Sequence, residues 1–366
     1  MRICFISGAL PEVSCGIGDY TDALARALAR QNHEVVVVTT ASPDLRPGDT
    51  YRVVPLNTDW SLGKAGRIAA AARREGAEVL HLQFPGVGYG RGLGACFVPW
   101  AARLRGHAPL LATTLHEFDR FRFRYRARLA LAVAACNLVV APDPAVLSSV
   151  RQHLRWRPGQ NLELIPVAAN VWPIAGAAVG ADAGEAGDGA ELTVGYWGFI
   201  RQDKGVDRLL DAFAAVRRVR PARLVLAGDP GPDEAYIQSI WRLADQLGIT
   251  DAISTTGRIP AEQLSAELAS FDVCVLPFRE GLTENRTTYA GAVAHGLYVV
   301  TTETSKRGFE PETNTTYVPP GDQTALTNAI LDAPSHPRRR RIETPESQWD
   351  RIAELHLQAY SRARRI

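Results

Sequence analysis

Two short stretches of this 366-residue chain gather the side chains best suited to charge chemistry. The first, Gly198-Phe199-Ile200-Arg201-Gln202-Asp203-Lys204-Gly205, follows an apolar run and opens a helical pattern. Its glycines let backbone approach a ligand, and Arg201 and Lys204 stand about one helical turn apart. Arginine forks two phosphate oxygens, whereas lysine serves as a point charge. A departing diphosphate needs that neutralisation, because negative charge builds on it as its bond to carbon breaks. The second stretch, VCVLPFREGLTENRTTYAGAVAHGLYVVTT from Val273 to Thr302, reads as strand, polar loop, helix and strand. Pro277 closes the first strand, since proline cannot donate to a ladder. The loop then offers Arg279, Glu280, Gly281, Leu282, Thr283, Glu284, Asn285 and Arg286. Such a loop lies where the carboxyl end of a parallel strand meets the amino end of a helix, the usual ligand crevice of open α/β sheets. Unpaired helix N–H groups favour an anion there. A solvated basic loop and an ordinary βαβ crossover are the bland alternatives.

These loops need a scaffold, and hydrophobic patterning predicts one. Arg2 to Ser7 reads as a strand, followed by the glycine-punctuated stretch Gly8 to Gly18. Tyr20, Leu24, Ala27 and Leu28 then fall on one helical face, with Asp19 placed to cap it. Val35 to Thr39 is fully apolar, as strands covered on both faces are. Further strands are expected at Glu78–Leu82, Leu110–Leu115, Asn137–Ala141 and Leu162–Val167, with helices between them. Residues 173–190 shift to Ala, Gly, Asp and Glu without apolar periodicity, which marks a linker or surface insertion. Beyond it the alternation resumes with strands at Leu192–Trp197, Ala222–Ala227 and Ile253–Thr256. The fold class is therefore α/β with doubly wound parallel sheets. The organisation is an N-terminal domain (1–172), the linker, a C-terminal domain (191–340) and a closing helix within 341–366. In that helix Trp349, Ile352, Leu355 and Ala359 share one side.

Composition sets outer limits. Hydrophobic content is 46% and charged content 22%, ordinary for a chain with sizeable cores. The formal net charge of +2 gives no global pull towards nucleic acid or an anionic membrane. Cys4, Cys15, Cys96, Cys136 and Cys274 are scattered without a C-x-x-C pair, which fits a reducing cytoplasm. Cys4, Cys136 and Cys274 sit in apolar runs and read as small core residues. MRICFISGAL has too short an apolar core for a signal peptide, and no run is long enough to span a bilayer.

Other residues carry weaker signals. His116 ends a strand in Thr114-Leu115-His116-Glu117-Phe118-Asp119, where a histidine either positions a ligand or is simply hydrogen-bonded in place. His81, inside LHLQF, reads as structural, and Asp143, between Pro142 and Pro144, as a turn residue rather than a metal ligand. Gly16 and Gly18 begin a G-x-G pattern, but Thr21 replaces the third glycine of a dinucleotide fingerprint. The segment DRFRFRYRAR, Asp119 to Arg128, holds five arginines. Read as a helix it has no clean amphipathic stripe; it fits a solvated face, a phosphorylated acceptor or peripheral contact with an anionic membrane.

Together these pieces resemble the retaining, nucleotide-sugar-dependent glycosyltransferases of family 4, with the GT-B fold. The carriers are CGIGDYT (Cys15–Thr21), TLHEFD, GFIRQDKGVDRLLDAF (Gly198–Phe213), LVLAGDPG (Leu224–Gly231), TGRIPAEQL (Thr256–Leu264), DVCVLPFREG and AVAHGLYVVTT. The resemblance implies two Rossmann-like domains facing a cleft, with the nucleotide sugar on the C-terminal domain and the acceptor on the other. It implies transfer of a sugar to an acceptor hydroxyl with retention of configuration, in a cytoplasmic enzyme for which peripheral contact with the inner membrane face is an expectation. The donor would be a GDP- or UDP-sugar, and the acceptor a glycan, a lipid-linked sugar or a small molecule. No cofactor, metal or nucleic acid is required. Arg201 and Lys204 match the family's cations on the donor diphosphate, with Gly198 opening their loop. Glu280 matches the first glutamate of a paired motif that holds donor hydroxyls. Gly16 and Gly18 match the loop approaching the donor, and His116 the histidine near the transferred sugar. Arg258, Gly281, Leu282, Thr283, Glu284 and Arg286 complete the expected donor contacts. Two departures stand out. Phe199 occupies the place where an arginine often follows the loop's first glycine, and Gly291 falls where the second glutamate fastens the ribose. A GT-B sugar-nucleotide isomerase is one alternative, and the missing second glutamate motivates another, a non-catalytic GT-B binding protein.

Overall fold

The structure is a computed structural model. It describes the chain except for residues 12–15, 43–49, 57–58, 85–86, 91, 106–109, 117, 119–122, 155–158, 170, 172, 174–189, 229, 232, 284–285, 337–344 and 365–366. The chain divides into two compact units, Met1–Ala168 with Pro345–Ile366, and Ala169–Thr344.

Unit 1 is a seven-stranded sheet in the order β3-β2-β1-β4-β5-β6-β7. Its strands are β1 (Arg2–Ile6), β2 (Glu34–Thr40), β3 (Arg52–Leu56), β4 (Val79–Phe84), β5 (Leu110–Leu115), β6 (Leu138–Ala141) and β7 (Asn161–Leu164). Every pairing is parallel. All residues of β4 and β5 are buried, as strands covered by helices on both faces require. The connecting helices are α1 (Gly16–Arg30), α2 (Ala65–Arg74), α3 (Gly94–Leu104), α4 (Phe123–Ala135) and α5 (Pro144–His153). Tyr20, Leu24, Ala27 and Leu28 are the buried face of α1, as their spacing predicts. Asp19 does not cap this helix: α1 begins three residues earlier, so Asp19 lies in its first turn, where a carboxylate favours the dipole. Asp143 is the N-cap of α5 and accepts from the backbone N–H of Ala145 at 2.7 Å.

Unit 2 repeats the plan in the order β10-β9-β8-β11-β12-β14-β13. Its strands are β8 (Leu192–Trp197), β9 (Ala222–Ala227), β10 (Ile253–Gly257), β11 (Val273–Leu276), β12 (Val299–Thr302), β13 (Gly308–Glu310) and β14 (Thr315–Val318). The pairings are parallel except that β13 runs against β14 at the edge. Its helices are α6 (Val206–Arg217), α7 (Glu234–Leu247), α8 (Ala261–Ala269), α9 (Thr287–Ala294) and α10 (Gln323–Leu331). The last helix, α11 (Pro345–Arg364), belongs to unit 1 and packs on α1. Trp349, Ile352 and Ala359 are buried there, while Leu355 is half-buried. Cys4, Cys136 and Cys274 are fully buried. No described helix is long and apolar enough to cross a membrane. The sequence patterning misses β3, β13, β14 and α10.

Candidate active site

In unit 2 the lysine loop leaves β8 through Gly198, whose φ of +123° suits glycine. Tyr196 Oη donates to the Phe199 carbonyl at 2.7 Å and fixes the first bend; burial pushes that phenol well above its usual pKa. A single 3-10 turn, Gln202–Lys204, then leads to Gly205 at φ +70°. A Cβ on Gly205 would sit 2.1 Å from the Pro277 carbonyl oxygen, so only glycine lets α6 start beneath the loop that follows β11.

Arg279 stitches these two loops together. Its backbone N–H donates to the Asp203 carbonyl at 3.1 Å and its Nε to the Gln202 carbonyl at 2.7 Å. Its guanidinium also pairs with Asp207, whose other oxygen accepts from Tyr236 Oη at 2.9 Å. Three further cations converge on one carboxylate and one ring. Arg201 Nε lies 3.2 Å from Asp203 Oδ1, and Arg286 Nη1 3.3 Å from Asp203 Oδ2. Arg286 Cζ stands 4.6 Å from the centroid of Phe278, and Lys204 Nζ 5.2 Å from the same centroid. Arg286 is also the N-cap residue of α9, so the cluster stands at a helix amino end.

The remaining expected contacts are placed as follows. Glu280 is exposed in the turn that Gly281, at φ +89°, closes by donating to the Phe278 carbonyl. Leu282 N–H is tied to the Thr302 carbonyl at 2.7 Å, and the Thr283 carbonyl accepts from Arg286 N–H at 3.1 Å. Arg258 is exposed one residue beyond β10. Glu284 lies outside the described residues, as do Arg120 and Arg122 of the basic segment and most of 173–190.

Gly16, Gly18 and His116 belong to unit 1. Gly16 is exposed at the start of α1, with open space where a side chain would be. Gly18 is buried, and a Cβ there would come within 2.9 Å of the Leu10 carbonyl carbon. His116 lies one residue beyond the end of β5, with part of its surface exposed. Its Nε2 donates to the Gln83 carboxamide oxygen at 2.8 Å, and its ring meets Tyr20 edge-on at 4.8 Å. Desolvation, with a smaller push from His356, lowers its pKa to about 3. The imidazole is therefore neutral at physiological pH, and its second nitrogen is an acceptor. Beside it runs a wholly buried network. His81 bridges Tyr360 Oη at 2.6 Å and Thr114 Oγ1 at 2.8 Å, and His356 meets Tyr20 Oη at 3.2 Å. Burial lowers His81 well below the ordinary histidine range and His356 to about 4.

A family model described as Glycosyltransferase Family 4 matches residues 15–171, and one described as Glycosyl transferases group 1 matches residues 191–335. The chain belongs to the group 1, family 4 glycosyltransferases. A GDP-mannose-dependent alpha-(1-6)-phosphatidylinositol monomannoside mannosyltransferase of Mycolicibacterium smegmatis is 33% identical over 150 residues, 37% of each chain. The MMP alpha-(1->4)-mannosyltransferase of Mycolicibacterium hassiacum is 31% identical over 178 residues, 44% of this chain and 40% of the relative. The chain thus matches well under half the length of these relatives. Over nearly the full length, the sucrose-phosphate synthase of Thermosynechococcus elongatus superposes with a TM-score of 0.67 at 20% identity, covering 98% of this chain and 97% of that one. Anabaena HepE in complex with UDP and glucose gives 0.66 at 17%, covering 100% and 98%. The fold of this chain is GT-B.

Within this family member the departure at Gly291 has a steric cause. A Cβ there would lie 2.6 Å from Cζ2 of Trp197, whose Nε1 donates to the Thr288 carbonyl at 2.8 Å. The indole fills the space that a glutamate side chain would enter. Sequence reasoning also passed over the clamping role of Arg279, the carboxylates Asp203 and Asp207, and the buried partners Gln83, His356 and Tyr360. His356 and Tyr360 were readable in principle: they are polar residues four apart on the face that carries Ile352 and Trp349.

Proposed function

We propose that this protein transfers a hexosyl group from a nucleoside diphosphate sugar to an acceptor hydroxyl, with retention at the anomeric carbon. The observation that carries this reading is the convergence of Arg201, Lys204 and Arg286 on Asp203 and Phe278 at the head of α9. These cations face the charge that grows on the diphosphate as the glycosidic bond breaks. They leave no step that calls for a metal ion or organic cofactor. In this reading Glu280, exposed in its turn, accepts from donor-sugar hydroxyls. The neutral His116, with a proton on Nε2, serves as a hydrogen-bond acceptor for a hydroxyl rather than as an acid. The family resemblance assigns Gly16 and Gly18 to the donor's side of unit 1. With retention, the acceptor attacks the face from which the diphosphate leaves, and the released phosphate oxygens take up its proton.

GDP-mannose is the first donor to test, because the named mannosyltransferase relatives from Mycolicibacterium smegmatis and Mycobacterium tuberculosis are GDP-mannose-dependent. Lipid-linked and soluble mannosides are the matching acceptors. Calorimetric titration with GDP-mannose, UDP-glucose and ADP-glucose, followed by an assay for released nucleotide, tests the reading. Binding of at least one donor, slow release of its nucleotide, and loss of both in Arg201→Ala are expected. Absence of binding to all three would overturn the diphosphate seat. NMR of the product anomer decides retention.

A further inference from the structure

Asp203 holds two of the three cations, and it holds them unequally. Its Oδ1 pairs with Arg201, whose side chain is 49% exposed; its Oδ2 pairs with Arg286, which is 8% exposed. Exposed ion pairs contribute little, so Arg201 can turn to another anion at small cost. Arg286 cannot follow, being stacked on Phe278 and fixed at the head of α9. Asp203 is fixed as well. It lies inside the turn Gln202–Lys204, and its carbonyl is held by the backbone N–H of Arg279. A diphosphate drawn to Arg201 and Lys204 therefore meets a carboxylate that can neither leave nor hide.

We infer that Asp203 is a built-in counter-ion of the diphosphate seat. It neutralises Arg201 and Arg286 while the seat is empty, and it repels the nucleoside diphosphate after the sugar has gone. Affinity for the product is lowered and its release is hastened, which matters where release limits turnover. The inference rests on the diphosphate-binding reading above. A carboxylate that only ordered the loop would have the opposite signature, since its removal would disorder the cations and weaken binding.

The test is titration of GDP, UDP and inorganic pyrophosphate into wild type, D203N and D203E, with the melting temperature of each ligand-free protein. Loss of one like charge near a phosphate is worth about tenfold in affinity after solvent screening. Expected are roughly tenfold tighter binding to D203N, a lower KM with a lower kcat, and D203E within about twofold of wild type. Equal or weaker binding by a D203N that melts like wild type would overturn the inference. If D203N does not fold, D203S is judged by the same criterion, because it also removes the charge while leaving Arg286 an acceptor. Wild type that binds none of the three probes fails the earlier reading instead. Wild type that binds while D203N does not tighten fails this one alone.

Discussion

The two sheets share a strand plan and place opposite chemistry on it. After β8 and β11, unit 2 carries arginine and lysine on loops that remain partly open to water. On β4 and β5, and on the helices α1 and α11, unit 1 carries histidine, tyrosine, threonine and glutamine, most of them fully buried and uncharged. The difference follows from solvation. A cation can wait for an anionic ligand only while water or a weak counter-ion supports it, whereas a buried polar group must be neutral and hydrogen-bonded from the start. Unit 2 should therefore hold function that can be removed without unfolding, and unit 1 stability that acid can remove.

The largest effect expected is on the first half of that contrast. Lys204→Ala should lower kcat/KM by about a thousandfold, the scale for deleting a group that meets developing charge. Its melting temperature should stay close to that of wild type, because the lysine ends over the Phe278 ring without filling the core. Steady-state rates with the donor identified by titration, paired with thermal melts, check this. A variant that melts early would show that the seat also supports the fold and would blur the contrast.

The second prediction concerns acid. His81 and His356 are buried as neutral rings with folded pKa values below the ordinary 6.5, His356 at about 4. A depressed folded pKa means that the unfolded chain binds the proton first. Stability is therefore whole above about pH 6.5 and falls as pH drops towards the folded values. His356 alone accounts for a few kcal/mol across that window. Urea unfolding at pH 7.5, 6, 5 and 4 should show the decline, and His356→Gln should flatten the profile while lowering stability at pH 7.5. A flat wild-type profile would mean that these rings are not held neutral.

Trp197 supplies the third. Gly291→Ala forces a methyl group against the indole and should cost about 1–3 kcal/mol, the range for overpacking. Gly291→Glu should cost more and should not strengthen donor binding, since the carboxylate has no room to point at a ribose. Denaturant melts and donor titration of both variants separate the two outcomes. Tighter donor binding by Gly291→Glu would place the indole elsewhere in the working protein.

These effects also mark what could be read from residue order. Apolar runs announced β1, β2, β5, β8, β9, β11 and β12, because a strand buried on both faces has little choice but to be apolar. They hid β3, where Pro55 and half-exposed residues break the run, and the three-residue edge strand β13. The cationic loop was legible because glycine, arginine and lysine at that spacing have few other uses after a strand. Asp203 was not, since nothing in RQDKG tells whether the acid faces its neighbours or water. The pairing of His81 with Tyr360 was hidden for a different reason: they are 279 positions apart in the chain, and only folding brings β4 and α11 together. Gly291 reads in the sequence as a missing ribose contact, while the indole that fills its place belongs to Trp197 on β8, far outside the motif.

The smallest effect separates exposed from buried tethering of α11. Asp350 accepts from Arg30 Nη2 at 2.8 Å, with both side chains more than a third exposed. Asp350→Ala should cost about 0.5 kcal/mol, the usual worth of a surface pair. The Asp350 carbonyl still accepts from Gln31 Nε2 at 2.8 Å in that variant, so the backbone of α11 stays anchored. Tyr360→Phe should cost about 1–3 kcal/mol instead, because it leaves His81 Nδ1 buried without its partner. Thermal melts at low and high salt distinguish them: the Asp350 effect should fade as salt rises, and the Tyr360 effect should not. If the two costs came out equal and equally salt-sensitive, the helix would be held by surface charge, and the buried histidine network would be a passenger in the fold.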